Sequence, residues 1–298
     1  MEKNNSRQSV YRSVFCADLL ANQTHIVTGA GSGIGRCTAH ELSNLGAYVI
    51  LVGRKIEKLI TVQNEIINAG GKASVYACDI RDEFGIKNMV SSVVQERGSI
   101  DGLVNNAGGQ FPKLLSELSL NGWDAVVRNN LTGGFLLSRE VFNQSMKLHG
   151  GAIVNIIADI WGGMPTMGHS GAARAGMLSF TETAACEWSA FGVRVNSVAP
   201  GWVASSGFDT YSLEEQAKLR SLKNKVPLQR FGTESEVSAT IVFLLSEAAS
   251  FITGTCIRVD GGVQNARPTW TLEEHEKSNP YNGFALSIVP ECLKPKKE

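Results

Sequence analysis

Neither sign of charge is in excess in this sequence of 298 residues, since 28 lysines and arginines balance 28 aspartates and glutamates. That balance gives no reason to expect nucleic acid or an anionic membrane as a partner. No run of about 18 apolar residues occurs, so we expect no membrane span. The first residues lack the apolar segment of a signal peptide, and the last three are not the peroxisomal address. We expect a cytoplasmic protein.

Cysteine is sparse and scattered, with six residues, no CxxC pair and no spacing typical of metal ligands. We therefore expect free thiols in a reducing compartment, and no metal site. Hydrophobic residues make up 43% of the sequence and charged residues 19%, which is typical of a globular protein with ample material for a core.

Apolar runs of strand length alternate along the chain with segments of helical period. The predicted strands cover residues 25–31, 48–54, 73–80, 100–108, 151–159, 193–201 and 256–262. The predicted helices cover residues 33–47, 55–71, 83–98, 123–147, 172–189 and 235–247. The strands are near-continuous runs of valine, isoleucine and leucine, as in a parallel sheet buried on both faces. We therefore predict an α/β fold, a doubly wound, Rossmann-like parallel sheet of seven strands with helices on both faces.

No internal repeat or linker divides the chain, so one domain is expected over residues 18–262. Residues 1–17 are polar and are predicted to be a loosely held arm. Residues 263–298 form a C-terminal extension with too many aromatic and aliphatic residues for a disordered tail. We expect it to pack over the mouth of the active site or against a neighbouring subunit.

The stretch TGAGSGIG stands between the first predicted strand and the first predicted helix, and it carries Gly29, Gly33 and Gly35. Glycines there let the backbone approach a pyrophosphate, and the helix N-terminus offers free amides. An ordinary tight turn is the alternative, but the strand before it and the helix after it favour a dinucleotide site. Ser32 and Ile34 complete that predicted site.

The second strand ends in Gly53 and Arg54, where NAD-preferring proteins usually have a carboxylate for the ribose 2′-hydroxyl. Arg36 is expected nearby on the helix that follows the glycine loop. Guanidinium groups match a phosphate in charge and geometry, so this pattern favours NADP(H) over NAD(H). The alternative for Arg54 is a solvated charge at a strand end.

The ordered motifs TGAGSGIG, CDI, NNAG, NNLTG and VNSVAPGWV make residues 18–262 resemble the short-chain dehydrogenase/reductase family. The resemblance implies an oxidoreductase that uses a nicotinamide cofactor and that forms a homodimer or homotetramer through its fourth and fifth helices. The residues it assigns to the cofactor, from the adenine to the nicotinamide end, are Asp79, Ile80, Asn106, Ala107, Gly108, Pro200, Gly201, Val203 and Ser205. Ser205 stands where the family usually has threonine.

In this family a serine, a tyrosine and a lysine carry the proton chemistry. The segment MGHSGAARAGM, residues 167–177, contains neither tyrosine nor lysine. By the family spacing, Ser170 takes the tyrosine position, Arg174 the lysine position and Ala158 the serine position. Arg174 can still hold ribose hydroxyls, but a guanidinium stays protonated and cannot relay a proton. Oxidation of an alcohol through a tyrosinate is therefore disfavoured, whereas hydride addition to carbon with a proton from water or a weak acid demands less.

Two narrower resemblances follow from the same region. The pattern NII followed by HSGAARAG is similar to peroxisomal trans-2-enoyl-CoA reductase, and 2,4-dienoyl-CoA reductases also lack the usual tyrosine. The segments NNAGGQFP, WGGMP and HSGAARAGM are similar to bacterial members known as citronellol or citronellal dehydrogenases. In the enoyl reductases a tyrosine acts four residues after the arginine, where this chain has Leu178.

Asp159, at the end of the fifth strand, is the candidate replacement for the missing proton donor. A carboxyl group among Ile157, Ile160 and Trp161 would have its pKa raised by desolvation. The alternative is a loop cap or a pair with an arginine. His169 is a second candidate donor, although a loop histidine is more often solvated. Asn130 is expected to hold a helix kink and a water, as the resemblance implies.

Residues 201–232 are expected to form a substrate lid whose aromatic residues suit an alkyl chain and whose basic residues suit CoA phosphates. These residues are Trp202, Phe208, Tyr211, Lys218, Arg220, Lys223, Lys225 and Arg230. A solvated amphipathic helix is the alternative. Three functions therefore stay open, namely an NADP(H)-dependent reductase of a hydrophobic enoyl thioester, a citronellol or citronellal dehydrogenase, and a cofactor-binding protein without catalysis.

Overall fold

The computed structural model describes residues 10–205, 207–208, 212–267, 269 and 271–294. Its centre is one sheet of seven parallel strands in the order β3-β2-β1-β4-β5-β6-β7, which confirms the predicted doubly wound sheet. The strands are β1 Thr24–Thr28, β2 Tyr48–Gly53, β3 Lys72–Ala77, β4 Gly102–Asn105, β5 Gly151–Ile156, β6 Val193–Pro200 and β7 Cys256–Val259.

Helices cover both faces of this sheet. They are α1 Gly33–Asn44, α2 Ile56–Asn68, α3 Glu83–Arg97, α4 Leu120–Val127, α5 Gly133–Val141, α6 Lys147–His149, α7 Gly168–Trp188, α8 Leu213–Ser221 and α9 Glu234–Leu245. Neighbouring residues of a strand face opposite cores, so Val27 packs towards α1, α2 and α9 while Ile26 packs towards α3, α5 and α7. Apolar residues at successive positions of the central strands are therefore buried, as the sequence predicted, whereas most residues of the edge strands β3 and β7 are only partly buried.

The helix predicted over residues 123–147 is instead a succession of α-helical and π-helical turns. The π-helical segment Arg128–Thr132 joins α4 to α5, and Phe142–Met146 joins α5 to α6. A π-helical turn adds a residue to a helix and is frequent at functional sites. Helix α7 begins at Gly168, earlier than the predicted start at residue 172.

The N-terminal arm contacts both α1 and the C-terminal extension. Tyr11 is buried, its hydroxyl donates to Glu41 at 3.0 Å, and Ser13 donates to the same carboxylate at 2.7 Å. This part of the arm is firmly held, contrary to the expectation of a loose one. The backbone N–H of Arg12 donates to the carbonyl of Gly283 at 2.8 Å, which links the arm to the C-terminal extension.

Three further properties of the described residues bear on function. None of their helices is both long and apolar enough to cross a membrane. All six cysteines lie in the described ranges, and each is a free thiol. Within those ranges no group of three or more His, Cys, Asp or Glu side chains is placed to hold a metal ion.

Candidate active site

The glycine loop between β1 and α1 has a backbone that a side chain would disrupt. Gly29 and Gly33 have φ values of +64° and +58°, which L-residues rarely adopt. A Cβ on Gly35 would lie 2.5 Å from both the Gly29 carbonyl oxygen and Asn106 Nδ2. Ser32 precedes α1 and makes no capping hydrogen bond, so its hydroxyl and the first amides of α1 are free. The loop therefore fits the anionic pyrophosphate of a dinucleotide.

A cavity of about 240 Å³ opens beside this loop at the carboxyl ends of β1, β2 and β4. Doubly wound sheets bind ligands at this edge. The residues that line the cavity are Gly29, Gly31, Ser32, Val52, Gly53, Arg54, Lys55, Lys58, Leu59, Cys78, Asp79, Ile80, Ala107, Gly108 and Asn129. Many of the residues predicted to contact the cofactor therefore meet here, from the glycine loop to Gly108.

Three basic side chains stand at the cavity, and Arg36 is not one of them. Arg54, Lys55 and Lys58 all line it and are exposed. Arg36 instead donates from Nε and Nη2 to the carboxylate of Glu65, at 2.9 and 2.7 Å. The sequence predicted that Arg36 lies beside Arg54 at a phosphate site. In the structure Arg36 instead binds the carboxylate of Glu65 on α2.

Asp79 lies on the cavity wall with its carboxylate already paired. Arg81 donates to it from Nε at 2.9 Å and from Nη2 at 2.5 Å, and these bonds hold the pKa of Asp79 at about 2. The carboxylate is therefore charged at neutral pH and faces its own arginine. Beside it, the buried Ile80 adds an apolar surface to the cavity wall.

The end of β4 is held to the glycine loop by hydrogen bonds. Thr28 Oγ1 accepts from the backbone N–H groups of Asn106 and Ala107, both at 2.9 Å, and Asn106 Nδ2 donates to the Thr28 carbonyl at 2.9 Å. These bonds hold the segment after β4 against the end of β1. The side-chain NH2 group of Asn106 therefore donates within the protein.

Asn130 lies in the π-helical segment and is buried. Its Oδ1 accepts from the backbone N–H of Gly109 at 3.0 Å, and its Nδ2 donates to the Gly109 carbonyl at 2.7 Å. Both ends of the amide thus anchor the loop after β4. Asn130 thus lies in a distorted part of the helix, and its side chain binds Gly109 of the loop after β4.

Arg174 reaches from α7 to the centre of the site. Its Nη1 donates to the carbonyl of Ile156, at the end of β5, and a Cβ on Gly108 would lie 2.3 Å from its Nη2. Its Nε is buried and has no partner among the described residues. Desolvation lowers the pKa of Arg174 to about 10, so the guanidinium remains cationic at neutral pH.

Ser170 and His169 are both completely buried at the start of α7. Ser170 Oγ donates to Gln110 Oε1 at 2.6 Å. His169 packs edge-on against Phe111, with ring centroids 4.7 Å apart, and neither ring nitrogen has a partner among the described residues. The expectation of a solvated loop histidine is wrong, because α7 begins early enough to bury this ring.

Asp159 is half-buried beyond the end of β5, where it accepts a hydrogen bond from Gln264 Nε2. Burial raises the pKa of Asp159, in the predicted direction, and the nearby Asp260 raises it further. The bond from Gln264 and the charge of Arg258 oppose that rise without cancelling it. An apolar cluster that includes Ile157, Ile160 and Trp161 lies at the same end of the sheet.

The residues predicted to meet the nicotinamide end follow β6. Gly201 donates its N–H to the Val259 carbonyl at 3.0 Å, and Val203 is buried in a parallel bridge with Gly232. The backbone carbonyl of Ser205 accepts a hydrogen bond from the N–H of Phe208 at 3.0 Å. Pro200 closes the strand. None of the four lines the cavity beside the glycine loop described above.

The segment predicted to form a lid, residues 201–232, contacts the C-terminal extension. Phe208 and Leu219 pack with Cys292, and Arg220 Nε donates to the Cys292 carbonyl. Arg230 binds Glu236 at 2.8 and 2.6 Å and donates to Ser278 Oγ at 2.9 Å. Two predicted phosphate ligands are thus engaged within the protein. Trp202, Lys223 and Lys225 are exposed, whereas Tyr211 and the Lys218 side chain lie outside the described residues.

Sequence reasoning missed four polar residues of the site. Lys55 directly precedes α2 and Lys58 lies in its first turn, just after Arg54, and their charge was the available signal. Gln110 follows the NNAG motif by two residues, and Gln264 follows the final GG by two residues. No pattern in the sequence links them to Ser170 and Asp159, because both contacts are between distant segments.

Comparison with known proteins agrees with this geometry. Residues 29–264 match the family model described as enoyl-(acyl carrier protein) reductase. A protein of Bacillus subtilis (strain 168), a probable 2,4-dienoyl-CoA reductase that produces (2E)-enoyl-CoA, is 37% identical over 243 residues. That match covers 80% of this chain and 94% of the relative.

Solved structures give the same result. The citronellol catabolism dehydrogenase AtuB of Pseudomonas aeruginosa PAO1 is 56% identical, with a TM-score of 0.77 over 85% of this chain and 99% of that one. A putative NAD(P)-dependent gluconate 5-dehydrogenase from Beutenbergia cavernae, solved with NADP at low occupancy, is 33% identical. Its TM-score is 0.79 over 84% of this chain and 100% of that one. With its glycine loop, parallel sheet and these relatives, the chain belongs to the short-chain dehydrogenase/reductase family of NAD(P)-dependent oxidoreductases.

Proposed function

We propose that this protein is an NADP(H)-dependent reductase of an unsaturated, hydrophobic acyl thioester of the enoyl-CoA type. The observation that carries the proposal is the state of Ser170 and Arg174. Ser170 is completely buried and donates to Gln110 at 2.6 Å, and Arg174 keeps its proton at neutral pH. Neither group can exchange a proton with an alcohol oxygen in the manner of the family's tyrosine and lysine.

A bound NADPH would supply the hydride. The amides of the glycine loop and of α1 would hold its pyrophosphate. Arg174, packed against Gly108, would donate to the ribose next to the nicotinamide, since its Nε has no partner among the described residues. Arg54, together with Lys55 and Lys58, would surround a 2′-phosphate.

The preference for NADP(H) leads to a first prediction. Replacing Arg54 by alanine should raise the Kd of NADPH roughly tenfold or more, because a hydrogen bond to a charged group contributes about 1.5–3 kcal/mol. The Kd of NADH should hardly change, because NADH has no 2′-phosphate. Both constants follow from titrations of nicotinamide fluorescence. Lys72→Ala, at the opposite end of the sheet, is the control. An unchanged Kd for both cofactors would mean that Arg54 is only a solvated charge, and an equal loss for both would mean that it does not recognise the 2′-phosphate.

Asp159 is the proposed proton donor for the reduction. Hydride addition to one carbon of a conjugated thioester leaves negative charge on the rest of the conjugated system. Another atom of that system must therefore accept a proton. A carboxyl whose pKa is raised by burial keeps its proton to a higher pH than an exposed carboxyl does, and it can supply that proton. Gln264, which donates to the Asp159 carboxylate, would fix the direction of the group.

The surroundings of Asp159 favour an apolar substrate chain. Ile160, Trp161, Leu131 and Leu178 are partly buried around the ends of β5, β6 and α7. Of the basic residues that the lid was predicted to offer to CoA phosphates, Lys223 and Lys225 are exposed, whereas Arg220 and Arg230 bind within the protein. An acyl thioester would therefore meet an apolar wall with a smaller basic patch than expected.

A citronellol or citronellal dehydrogenase is the second candidate. Its support is the 56% identity to AtuB, which exceeds the identity to the dienoyl-CoA reductase relative. The buried Ser170 weighs against it, since alcohol oxidation needs a group that takes the hydroxyl proton.

The discriminating experiment measures NADPH oxidation by the purified protein with trans-2-enoyl-CoA and 2,4-dienoyl-CoA thioesters on one side and citronellal on the other. Turnover of a thioester alone supports the proposal. Turnover of citronellal alone replaces it with the second candidate. Tight NADPH binding without turnover of any of these substrates would favour a cofactor-binding protein without catalysis. We expect a cytoplasmic homodimer or homotetramer, and light scattering after size exclusion measures the assembly.

Ser170→Ala provides a second prediction. If Ser170 only holds Gln110, its loss should change kcat/KM with the preferred substrate by no more than about threefold, whereas a general acid–base group usually contributes 10²-fold or more. The Kd of NADPH serves as the control for an intact site. A hundredfold loss of kcat/KM with unchanged NADPH binding would instead identify Ser170 as the proton donor.

A further inference from the structure

Glu234 is a buried carboxyl group that faces the glycine loop. It is the first residue of α9 and is only 7% exposed. Its Oε1 lies 3.9 Å from the position that a Cβ on Gly33 would occupy. A cavity of about 380 Å³ is lined by Gly31, Ser32 and Gly33 on one side and by Glu234 on the other. The carboxyl therefore lies close to the loop that would hold the pyrophosphate, on the wall of the same cavity.

No hydrogen bond or ion pair compensates this carboxyl within the part of the chain that the structure describes. Two basic residues line the cavity. Arg36 on α1 forms an ion pair with Glu65 on α2, and Lys58 is on α2. His40 lies 3.0 Å from the same Glu65. The apolar Ile288 of the C-terminal extension lines the remaining wall.

The other titratable groups on this side do not relieve Glu234. Burial raises the pKa of the Cys37 thiol on α1, which keeps it neutral. Glu236, in the same turn of α9, binds Arg230 and the N–H of Thr233 instead. Burial consequently raises the pKa of Glu234 to about 7, and Arg36 only partly opposes that rise.

We propose that Glu234 couples cofactor binding to the uptake of a fraction of a proton from solvent, so that the affinity for the dinucleotide falls as the pH rises. A pyrophosphate at the glycine loop would bring negative charge across the cavity from this carboxyl. Like charges in a poorly solvated site disfavour ionisation. The bound cofactor therefore favours the neutral acid, and by linkage the neutral acid favours the cofactor. This coupling concerns the family's cofactor and does not depend on the substrate proposed above.

The test uses binding alone, with the whole protein and no substrate. The Kd of NADH, measured by fluorescence between about pH 6 and pH 8.5, should rise about three- to tenfold in the wild type. Calorimetry in two buffers of different ionisation enthalpy should detect proton uptake near neutral pH. NADH is the first probe because the 2′-phosphate of NADPH itself titrates near pH 6, with an effect of the opposite sign.

Glu234→Gln should remove both the pH dependence and the proton uptake, and at the upper end of the pH range it should bind NADH at least as tightly as the wild type. Glu247→Gln, which changes an exposed carboxylate just beyond α9, should keep both effects. The proposal is wrong if the wild type takes up no proton on binding NADH, a result that needs no variant to fold. It is also wrong if folded Glu234→Gln retains the wild-type pH dependence.

Discussion

Asp159→Asn should lower kcat/KM for the preferred thioester by about 10²-fold or more while leaving the Kd of NADPH unchanged. The asparagine keeps the size of the side chain and an oxygen that can accept from Gln264, so the local fold should persist. What it lacks is an ionisable proton. Steady-state kinetics and fluorescence titration on the same preparation measure the two quantities.

The pKa of Asp159 also predicts in which direction kcat changes with pH. Burial raises the pKa of Asp159, and a general acid is active in its protonated form. With NADPH saturating, the wild-type kcat should therefore be greatest below the pKa of Asp159 and should fall as the pH rises through it. In Asp159→Asn the remaining slow rate should lose this dependence.

Asp124→Asn is the control for the loss of a carboxylate in general, because Asp124 is exposed on α4. It should match the wild type in rate and pH profile. If Asp159→Asn retains kcat/KM within about threefold of the wild type, Asp159 is not the acid, because general acid–base groups contribute far more than that. Ser170, His169 and water would then remain as candidate proton sources for the proposed reduction.

The sheet was predictable because its signal is local. The central strands are runs of apolar residues that the two helical layers bury on both faces, and β1 and β2 are each followed directly by the turn that starts a helix. The glycine loop was predictable for the same reason, since Gly29 and Gly33 adopt positive φ values that few other residues tolerate. Site positions tied to this local frame, such as Arg54 and Gly108, therefore lie where the sequence placed them.

The charges were not predictable because their partners come from distant segments. Arg36 and Glu65 are separated by 29 residues, and their ion pair depends on how α1 packs against α2. Gln264 meets Asp159 across 105 residues, through the adjacency of β5, β6 and β7. Burial of His169 likewise depends on where the loop containing Phe111 folds back. Composition and spacing contain no record of such pairings.

The C-terminal extension contributes a large side chain to the interior of the protein. Phe284 is 2% exposed and lies in a pocket made by α1, α9 and the N-terminal arm. Its ring centroid lies 5.9 Å from that of Tyr11 and 4.9 Å from that of His40, and the guanidinium of Arg36 lies 5.2 Å away. Its backbone N–H donates to Ser235 Oγ at 3.1 Å.

Phe284→Ala should therefore lower the free energy of unfolding by about 3–5 kcal/mol, the cost of removing a large buried ring and leaving a cavity. For a protein of this size the Tm should fall by roughly 10 °C. Ile288→Ala is the matched control, because Ile288 belongs to the same segment but is 55% exposed, and it should change stability by no more than about 0.5 kcal/mol. Calorimetry of the three proteins decides the matter. Equal stability of wild type and Phe284→Ala would mean that the extension rests on the surface and adds nothing to the core, whereas the expected loss would make residues 281–286 a structural part of the fold that carries the glycine loop.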